Sequence, residues 1–167
     1  MTLSELNMLD PAERRAALEK CNGSRTWIEM MMRGFPFVDT AALLVAADHA
    51  WQSCGPSDGR EAFTHHPRIG DMDSLRKKFA NTGQWAAGEQ AGIDGAPDDL
   101  LAALAAGNQA YEEKFGYIFI VCATGRSAAE MLTSLQQRLG NDPEKEIQIA
   151  MTEQGRITRL RLEKLLT

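Results

Sequence analysis

Apolar residues recur at helical spacing along most of this 167-residue chain. Leu43, Ala47 and Trp51, for example, fall at i, i+4 and i+8, so they form one stripe on a helix. Residues that favour helix starts precede several such segments, at Asp10, Ser24, Asp39 or Thr40, Pro97, Ser127 and Asp142. The pattern predicts an all-α fold of about eight or nine helices, in a single compact domain over residues 1–167.

Three stretches of this pattern are less regular. Residues 73–80 and 82–91 have the spacing of two short helices, and Gly155 is expected to weaken or kink the last helix. Residues 117–122 are β-like in composition, but one strand cannot form a sheet by itself. We therefore expect residues 117–122 to be a short, buried extended segment or the start of a helix.

Composition and charge exclude two classes of partner. The chain is 44% hydrophobic and 25% charged, and its net charge of −5 comes from interspersed signs rather than from a basic stripe. This argues against nucleic-acid binding. No apolar run reaches the ~20 residues that span a bilayer, so no membrane association is expected. With no leader pattern at the first residues, the expected location is the cytoplasm.

Cysteine and histidine spacing gives no metal signal. Cys21, Cys54 and Cys122 are scattered and include no Cys-x-x-Cys pair, so neither a disulfide framework nor a zinc site is expected. The three histidines also lack His-x-x-x-His spacing. We expect the protein to bind no metal.

The segment His65-His66-Pro67-Arg68 carries candidate acid–base chemistry. Proline biases the residue before it toward extended backbone, so His66 should lie on a stiff turn outside a helix. Histidine exchanges protons near neutral pH, and a fixed imidazole beside an arginine would suit an anionic substrate. A surface loop with two solvated histidines would give the same pattern. Because only His66 precedes the proline, we favour it over His65.

Two further segments contain polar residues that a simple helical bundle would not require. Glu89 and Gln90 are flanked by small residues that would let a ligand approach, although a solvated helix face would also explain them. Asn108 and Tyr111 share a helix face just before the apolar run at 117–122. Backbone groups in a buried run without a sheet need partners, which a small amide-rich ligand could supply. The alternative is that this run is ordinary core.

Taken in order, these three segments resemble the 2-oxo-4-hydroxy-4-carboxy-5-ureidoimidazoline (OHCU) decarboxylase family of uric acid degradation. The matching motifs are His66-Pro67, Glu89-Gln90 and the Phe-Gly-aromatic-x-Phe run that begins at Phe115. The resemblance spans nearly the whole chain and is specific through the combination of motifs. It implies an all-helical protein, often a homodimer, that converts a small ureidoimidazoline substrate, OHCU, to (S)-allantoin without a cofactor.

The resemblance also assigns roles residue by residue. The family's catalytic histidine falls on His66, and its paired acid falls on Glu89. The positions that match the family's substrate contacts are Pro67, Gln90 and backbone groups of Ile118, Phe119, Ile120, Val121 and Cys122. One departure is Ala86, which stands where the family has serine, so any contact made by that hydroxyl is absent or replaced here.

The chemistry of this substrate fits the residues. The carboxylate leaves a carbon next to a ring C=N, which can accept the electron pair, so no cofactor is required. His66 is expected to act as general acid/base, with Glu89 orienting its imidazole. Arg161 or Arg68 would neutralise the substrate carboxylate, and we prefer Arg161. Two other functions stay open, a non-enzymatic helical binding module and a hydrolase or isomerase of a related ureido compound.

Overall fold

The computed structural model describes residues 1–67 and 96–167, with side chains described from residue 98 onward in the second range. These residues form α-helices and no strand, which confirms the all-α prediction for the part described. The helices are α1 (Leu3–Met8), α2 (Pro11–Cys21), α3 (Arg25–Gly34), α4 (Thr40–Gln52), α5 (Pro56–Thr64), α6 (Ala96–Phe115), α7 (Ala128–Leu139) and α8 (Pro143–Leu165). The two short helices expected over 73–80 and 82–91 lie outside the described residues.

Capping side chains begin the helices where the sequence predicts. The Asp10 carboxylate accepts from the amides of Ala12 and Glu13 at 2.9 Å, and Ser24 accepts from the Trp27 amide at 3.2 Å. Such a cap is worth about 1 kcal/mol. Asp39 and Ser127 cap α4 and α7 in the same way.

Helices α1 and α5 are the two that the apolar pattern does not predict. Helix α1 begins with a capping box between Thr2 and Glu5. Helix α5 begins at a proline, and the Asp58 carboxylate accepts from the Gly55 amide at 2.9 Å. Helix α5 matters because its last residues lead directly into the turn that carries His65 and His66.

Two compact units divide the chain, and the single-domain expectation stays a prediction. The first unit contains Met1–His66, Ile120–Cys122 and Ile147–Thr167. Its core includes the indoles of Trp27 and Trp51, whose Nε1 groups donate to the carbonyls of Ala47 (3.1 Å) and Met151 (2.7 Å).

Helix α8 runs through Gly155 without a break. The reason for a glycine there is close packing, because a Cβ at this position would lie 3.0 Å from Trp51 Cδ1. The position therefore gives up about 1 kcal/mol of helix propensity and lets the indole approach the helix backbone.

The second unit contains the described residues within Pro67–Phe119 and Ala123–Glu146. Its centre is a buried ion pair, in which Arg138 Nε donates to Glu146 Oε1 at 2.6 Å. The Tyr111 hydroxyl donates to the same carboxylate oxygen at 2.6 Å. Burial, reinforced by this hydrogen bond, raises the pKa of the Tyr111 phenol well above its ordinary value, so the hydroxyl stays a donor. The Arg138 guanidinium also lies 4.5 Å from the centre of the Phe119 ring.

Residues 118–122 carry neither helix nor strand, so the alternative of a helix start is wrong. Ile120 and Val121 are buried, and Ile118, Phe119 and Cys122 are half-buried. The run follows Gly116, which has a φ of 80° that side chains disfavour. The segment is thus positioned by a glycine turn and by contacts of its side chains.

Candidate active site

His66 lies on the turn that ends α5, as the His-Pro sequence predicts. The last helical residue is Thr64, and the amides of His65 and His66 each donate at 3.2 Å to the carbonyls of Ala62 and Phe63. Pro67 follows and is exposed. Because Phe63 is buried in the core, the turn is fixed to the body of its unit.

The two neighbouring histidines point to different surroundings. His65 is exposed, and one side of its ring lies against Gly23, where a Cβ would come within 2.2 Å of His65 Cγ. His66 is half-buried and contacts side chains of α8. The contact with Gly23 gives His65 a packing role, and the choice of His66 as the chemical residue stays a prediction.

Two side chains of α8 hold the His66 imidazole. His66 Nε2 lies 2.5 Å from Gln154 Oε1, and His66 Nδ1 lies 3.4 Å from Arg161 Nη2. Gln154 and Arg161 are seven positions apart, so they share one face of the helix. Each ring nitrogen of His66 therefore meets a polar group that is presented by the same helix.

Arg161 is half-buried and is tied to the protein by weak contacts only among those described. Its Nη1 donates to the Lys20 carbonyl at 3.3 Å, and its Nη2 faces His66 at 3.4 Å. Both distances exceed the ~2.7–3.2 Å of a good N–H hydrogen bond. The guanidinium is therefore positioned beside the imidazole and can exchange these partners for a stronger acceptor such as a carboxylate.

Cys21 is a buried thiol that feels the charge of Arg161, but it is not activated as a nucleophile. Burial raises the pKa of the Cys21 thiol to about 11, and the neighbouring Arg161 charge offsets only part of this effect. Cys21 Sγ also donates to the Ala17 carbonyl at 3.6 Å. The thiol is neutral at physiological pH and acts as a small buried side chain.

A buried polar chain supports Gln154 from behind. Gln154 Nε2 donates to Thr158 Oγ1 at 3.2 Å, and Asn22 Nδ2 donates to the same hydroxyl oxygen at 3.1 Å. Gln154, Thr158 and Asn22 are all buried. Gln154 is not among the site residues predicted from the sequence, although Gln154, Thr158 and Arg161 form a polar i, i+4, i+7 stripe that could have revealed it.

The other residues assigned from sequence fall into three groups. Ile120, Val121 and Cys122 belong to the same compact unit as His66 and Arg161, whereas Ile118 and Phe119 belong to the second unit. Glu89, Gln90 and Arg68 lie outside the described residues. The pairing of His66 with Glu89 therefore stays a prediction.

A cavity of about 440 Å³ opens elsewhere, among residues of α4 and α8. Its lining includes Asp48, Trp51 and Arg159 but neither His66 nor Arg161. We therefore take the surroundings of His66, the residue predicted to carry acid–base chemistry, as the candidate active site, and not this cavity.

Within residues 1–67 and 96–167, no group of three or more His, Cys, Asp or Glu side chains is arranged to hold a metal ion. Over the same ranges, every helix is too short or too polar to cross a bilayer. The expectation of a metal-free and cofactor-free site stays a prediction.

The chain is similar in sequence to known proteins of the family that the motifs indicate. Residues 7–163 match the family model described as OHCU decarboxylase. The chain is 36% identical over 147 residues to the Uric acid degradation bifunctional protein TTL of Arabidopsis thaliana, a match that covers 87% of this chain and 45% of that protein. It is 28% identical over 143 residues to the OHCU decarboxylase of Halalkalicoccus jeotgali, covering 84% of this chain and 74% of that protein.

A solved structure shares the fold. The crystal structure of OHCU decarboxylase in the presence of (S)-allantoin superimposes with a TM-score of 0.70 at 34% identity, over 89% of this chain and 95% of that chain. The chain spans less than half the length of the Arabidopsis relative, which is named as bifunctional. Since the family match runs from residue 7 to residue 163, the chain belongs to the OHCU decarboxylase family.

Proposed function

We propose that this protein is a carboxy-lyase that converts OHCU to (S)-allantoin and CO₂ in uric acid degradation. The observation that carries the proposal is His66, held on a turn with Nδ1 3.4 Å from the Arg161 guanidinium. An imidazole beside a cation is what an anionic substrate with an exchangeable proton requires. Relatives of this chain are named for the reaction and for the pathway.

Arg161 is the group that we propose for the substrate carboxylate. A guanidinium can bind a carboxylate through two parallel hydrogen bonds, which are stronger than its long contacts to His66 and Lys20. Substrate binding would then draw the guanidinium toward the carboxylate and place the substrate on the Nδ1 side of His66.

The chemical step needs no external electron acceptor. When the bond between the carboxylate and the ring carbon breaks, its electron pair moves toward the adjacent ring C=N and CO₂ leaves. The ring nitrogen that receives the displaced electron pair takes up a proton, which gives an enol-like intermediate. This intermediate loses its hydroxyl proton as the carbonyl forms, and the neighbouring ring carbon gains a proton on one face. Overall, one proton is taken up for each CO₂ released, and no oxidation or reduction takes place.

His66 is proposed to move these protons as general acid/base, accepting the hydroxyl proton and supplying the carbon proton. Glu89 would stabilise the imidazolium that forms when Nδ1 takes the proton, while Gln90 and backbone groups of 118–122 would bind the ureido and ring amides. Pro67 would keep the turn rigid. A fixed proton donor on one face of the ring accounts for formation of a single enantiomer.

The test follows freshly generated OHCU with purified protein. We expect its decay to accelerate, CO₂ to be released and the allantoin formed to be optically active, with the full rate kept after chelator treatment. Decay at the buffer rate, or racemic allantoin, would overturn the proposal. A ring-opened product without CO₂ would instead indicate a hydrolase, and saturable binding without turnover would indicate a binding module.

We further propose that the protein is a homodimer, which the family resemblance favours, and that it acts in the cytoplasm. Light scattering on the purified protein measures the oligomeric state, and we expect a mass of twice the 18.4 kDa of one chain.

A further inference from the structure

We propose that Gln154 is a positioning residue that fixes the His66 imidazole as the tautomer protonated at Nε2. Nδ1 is then the nitrogen that takes and returns the proton. The second statement rests on the proposed function, whereas the first is a property of the folded protein. A chain of buried hydrogen bonds leads to His66, and it begins and ends at groups that can only donate or only accept.

The chain begins at the backbone amide of Ser24. This N–H can only donate, and it donates to Asn22 Oδ1 at 3.0 Å. The Asn22 carbonyl oxygen is thereby identified, so its Nδ2 group is the one that lies 3.1 Å from Thr158 Oγ1. Asn22 therefore donates to the Thr158 hydroxyl.

The Thr158 hydroxyl has one proton, and the backbone takes it. Thr158 Oγ1 donates to the Gln154 carbonyl at 2.9 Å, a group that can only accept. The Thr158 oxygen must therefore accept from its other neighbours. Gln154 Nε2 lies 3.2 Å away and donates to it, so Gln154 Oε1 points to the other side, toward His66.

The proton of His66 follows from this orientation. Gln154 Oε1 can only accept, and it lies 2.5 Å from His66 Nε2, so Nε2 carries the hydrogen in the neutral ring. On the opposite side, Arg161 has only donors and faces Nδ1 at 3.4 Å, which favours a lone pair there. Both neighbours select the same tautomer.

Burial makes the alternative orientation unfavourable. Gln154 and Asn22 are fully buried, and Thr158 is nearly so. Turning the Gln154 amide around would place its oxygen against the Thr158 oxygen and its NH₂ group against the His66 N–H. Polar atoms left unpaired away from water are costly, so the network stabilises one arrangement.

This arrangement determines which ring nitrogen of His66 can exchange a proton with the substrate. Nε2–H is held from the protein side by a short hydrogen bond, whereas Nδ1 faces a long contact to the arginine proposed for the substrate carboxylate. When that arginine binds the carboxylate, the basic nitrogen faces the substrate. Gln154 does not touch the substrate in this scheme, and it acts through the imidazole.

The first test is spectroscopic and does not depend on activity. In isotope-labelled protein, ring-nitrogen NMR shifts distinguish protonated from bare nitrogens, and the signals missing from a His66→Gln variant belong to His66. We expect a protonated Nε2 and a bare Nδ1 at neutral pH. A protonated Nδ1, or an equal mixture of tautomers, would overturn the inference whether or not the protein decarboxylates OHCU.

The second test uses Gln154→Leu, with Gln148→Leu on the exposed face of the same helix as the control. We expect Gln154→Leu to give mixed tautomers and to lower kcat about 10- to 100-fold, less than the ~10²–10⁴ that general acid–base catalysis supplies. KM should change little, and Gln148→Leu should match the wild type.

The outcomes separate the inference from the proposed function. A folded Gln154→Leu with wild-type tautomer and kcat would overturn the inference. The expected tautomers in a protein without decarboxylase activity would overturn the proposed function alone. If Gln154→Leu does not fold, Thr158→Val gives the same test, since it removes the hydroxyl that orients the amide at almost constant volume and should also yield mixed tautomers.

Discussion

His66 Nδ1 and Arg161 Nη2 lie 3.4 Å apart although 95 positions separate the two residues in the chain. The contact joins the turn after α5 to the last third of α8. It places a donor-only side chain against the ring nitrogen that we assign as the base, and it links the two residues whose roles are easiest to separate by experiment.

Replacement of Arg161 tests its assignment to the carboxylate. Arg161→Gln should lower kcat/KM about 10- to 150-fold, the equivalent of losing a hydrogen bond to a charged group. Binding of (S)-allantoin, which lacks the carboxylate, should change far less. Steady-state kinetics and titration calorimetry measure the two effects. Arg159→Gln is the matched control, since Arg159 is exposed and pairs with Asp48 at 2.8 Å. Equal losses of turnover and allantoin binding in Arg161→Gln would contradict the assignment.

The two adjacent histidines should differ in their effect on catalysis. His66→Ala should remove about 10²–10⁴-fold of kcat, the usual contribution of a general acid/base. His65→Ala should keep most of the activity, because His65 is exposed and its ring packs on Gly23. Activity and circular dichroism of both variants give the comparison. Equal losses at unchanged folding would show that the position before the proline was the wrong criterion.

The parts of the fold that the sequence predicts are those with local causes. Asp10, Ser24 and Ser127 each bond an amide two or three residues ahead, so the signal and its effect lie in the same short stretch. The turn at His66 has an equally local cause in Pro67. These features need no knowledge of what packs against them.

The missed features depend on partners that are distant in sequence. Helix α5 buries only Gly59, Ala62 and Phe63, which is too few for an apolar stripe to be visible. Gly155 looks like a weak point until Trp51 is placed against it. Gln154 looks like one more polar residue, and its role depends on Asn22, which lies 132 positions earlier in the sequence and reaches it through Thr158.

Alkaline stability should depend on Cys21. Burial raises the pKa of this thiol from 9.0 to about 11, so the folded state keeps the proton that the unfolded state loses first. The stabilisation is fully present below pH 9 and is lost as pH rises toward 11, by on the order of 2 kcal/mol. Urea unfolding across this range should show a shallower loss in Cys21→Ala than in the wild type, whatever the starting stability of the variant. Parallel curves would contradict the prediction.

Glycine should be required at position 23 because the His65 ring leaves no room for a side chain, and not because of the backbone conformation of Gly23. A Cβ at Gly23 would lie 2.2–2.7 Å from three atoms of that ring, and its nearest neighbours are all His65 atoms. Gly23→Ala should therefore cost about 1–3 kcal/mol of unfolding free energy as an overpacked contact, and it should also lower kcat because the displaced ring adjoins His66. Gly55→Ala is the control, since nothing lies within 4 Å of its Cβ position.

In a His65→Ala background the clash is gone, so Gly23→Ala should cost much less, with a coupling energy of about 0.5–3 kcal/mol. Denaturant unfolding and kinetics of the four proteins in this cycle provide the measurement, and strictly additive effects would show that Gly23 is needed for another reason.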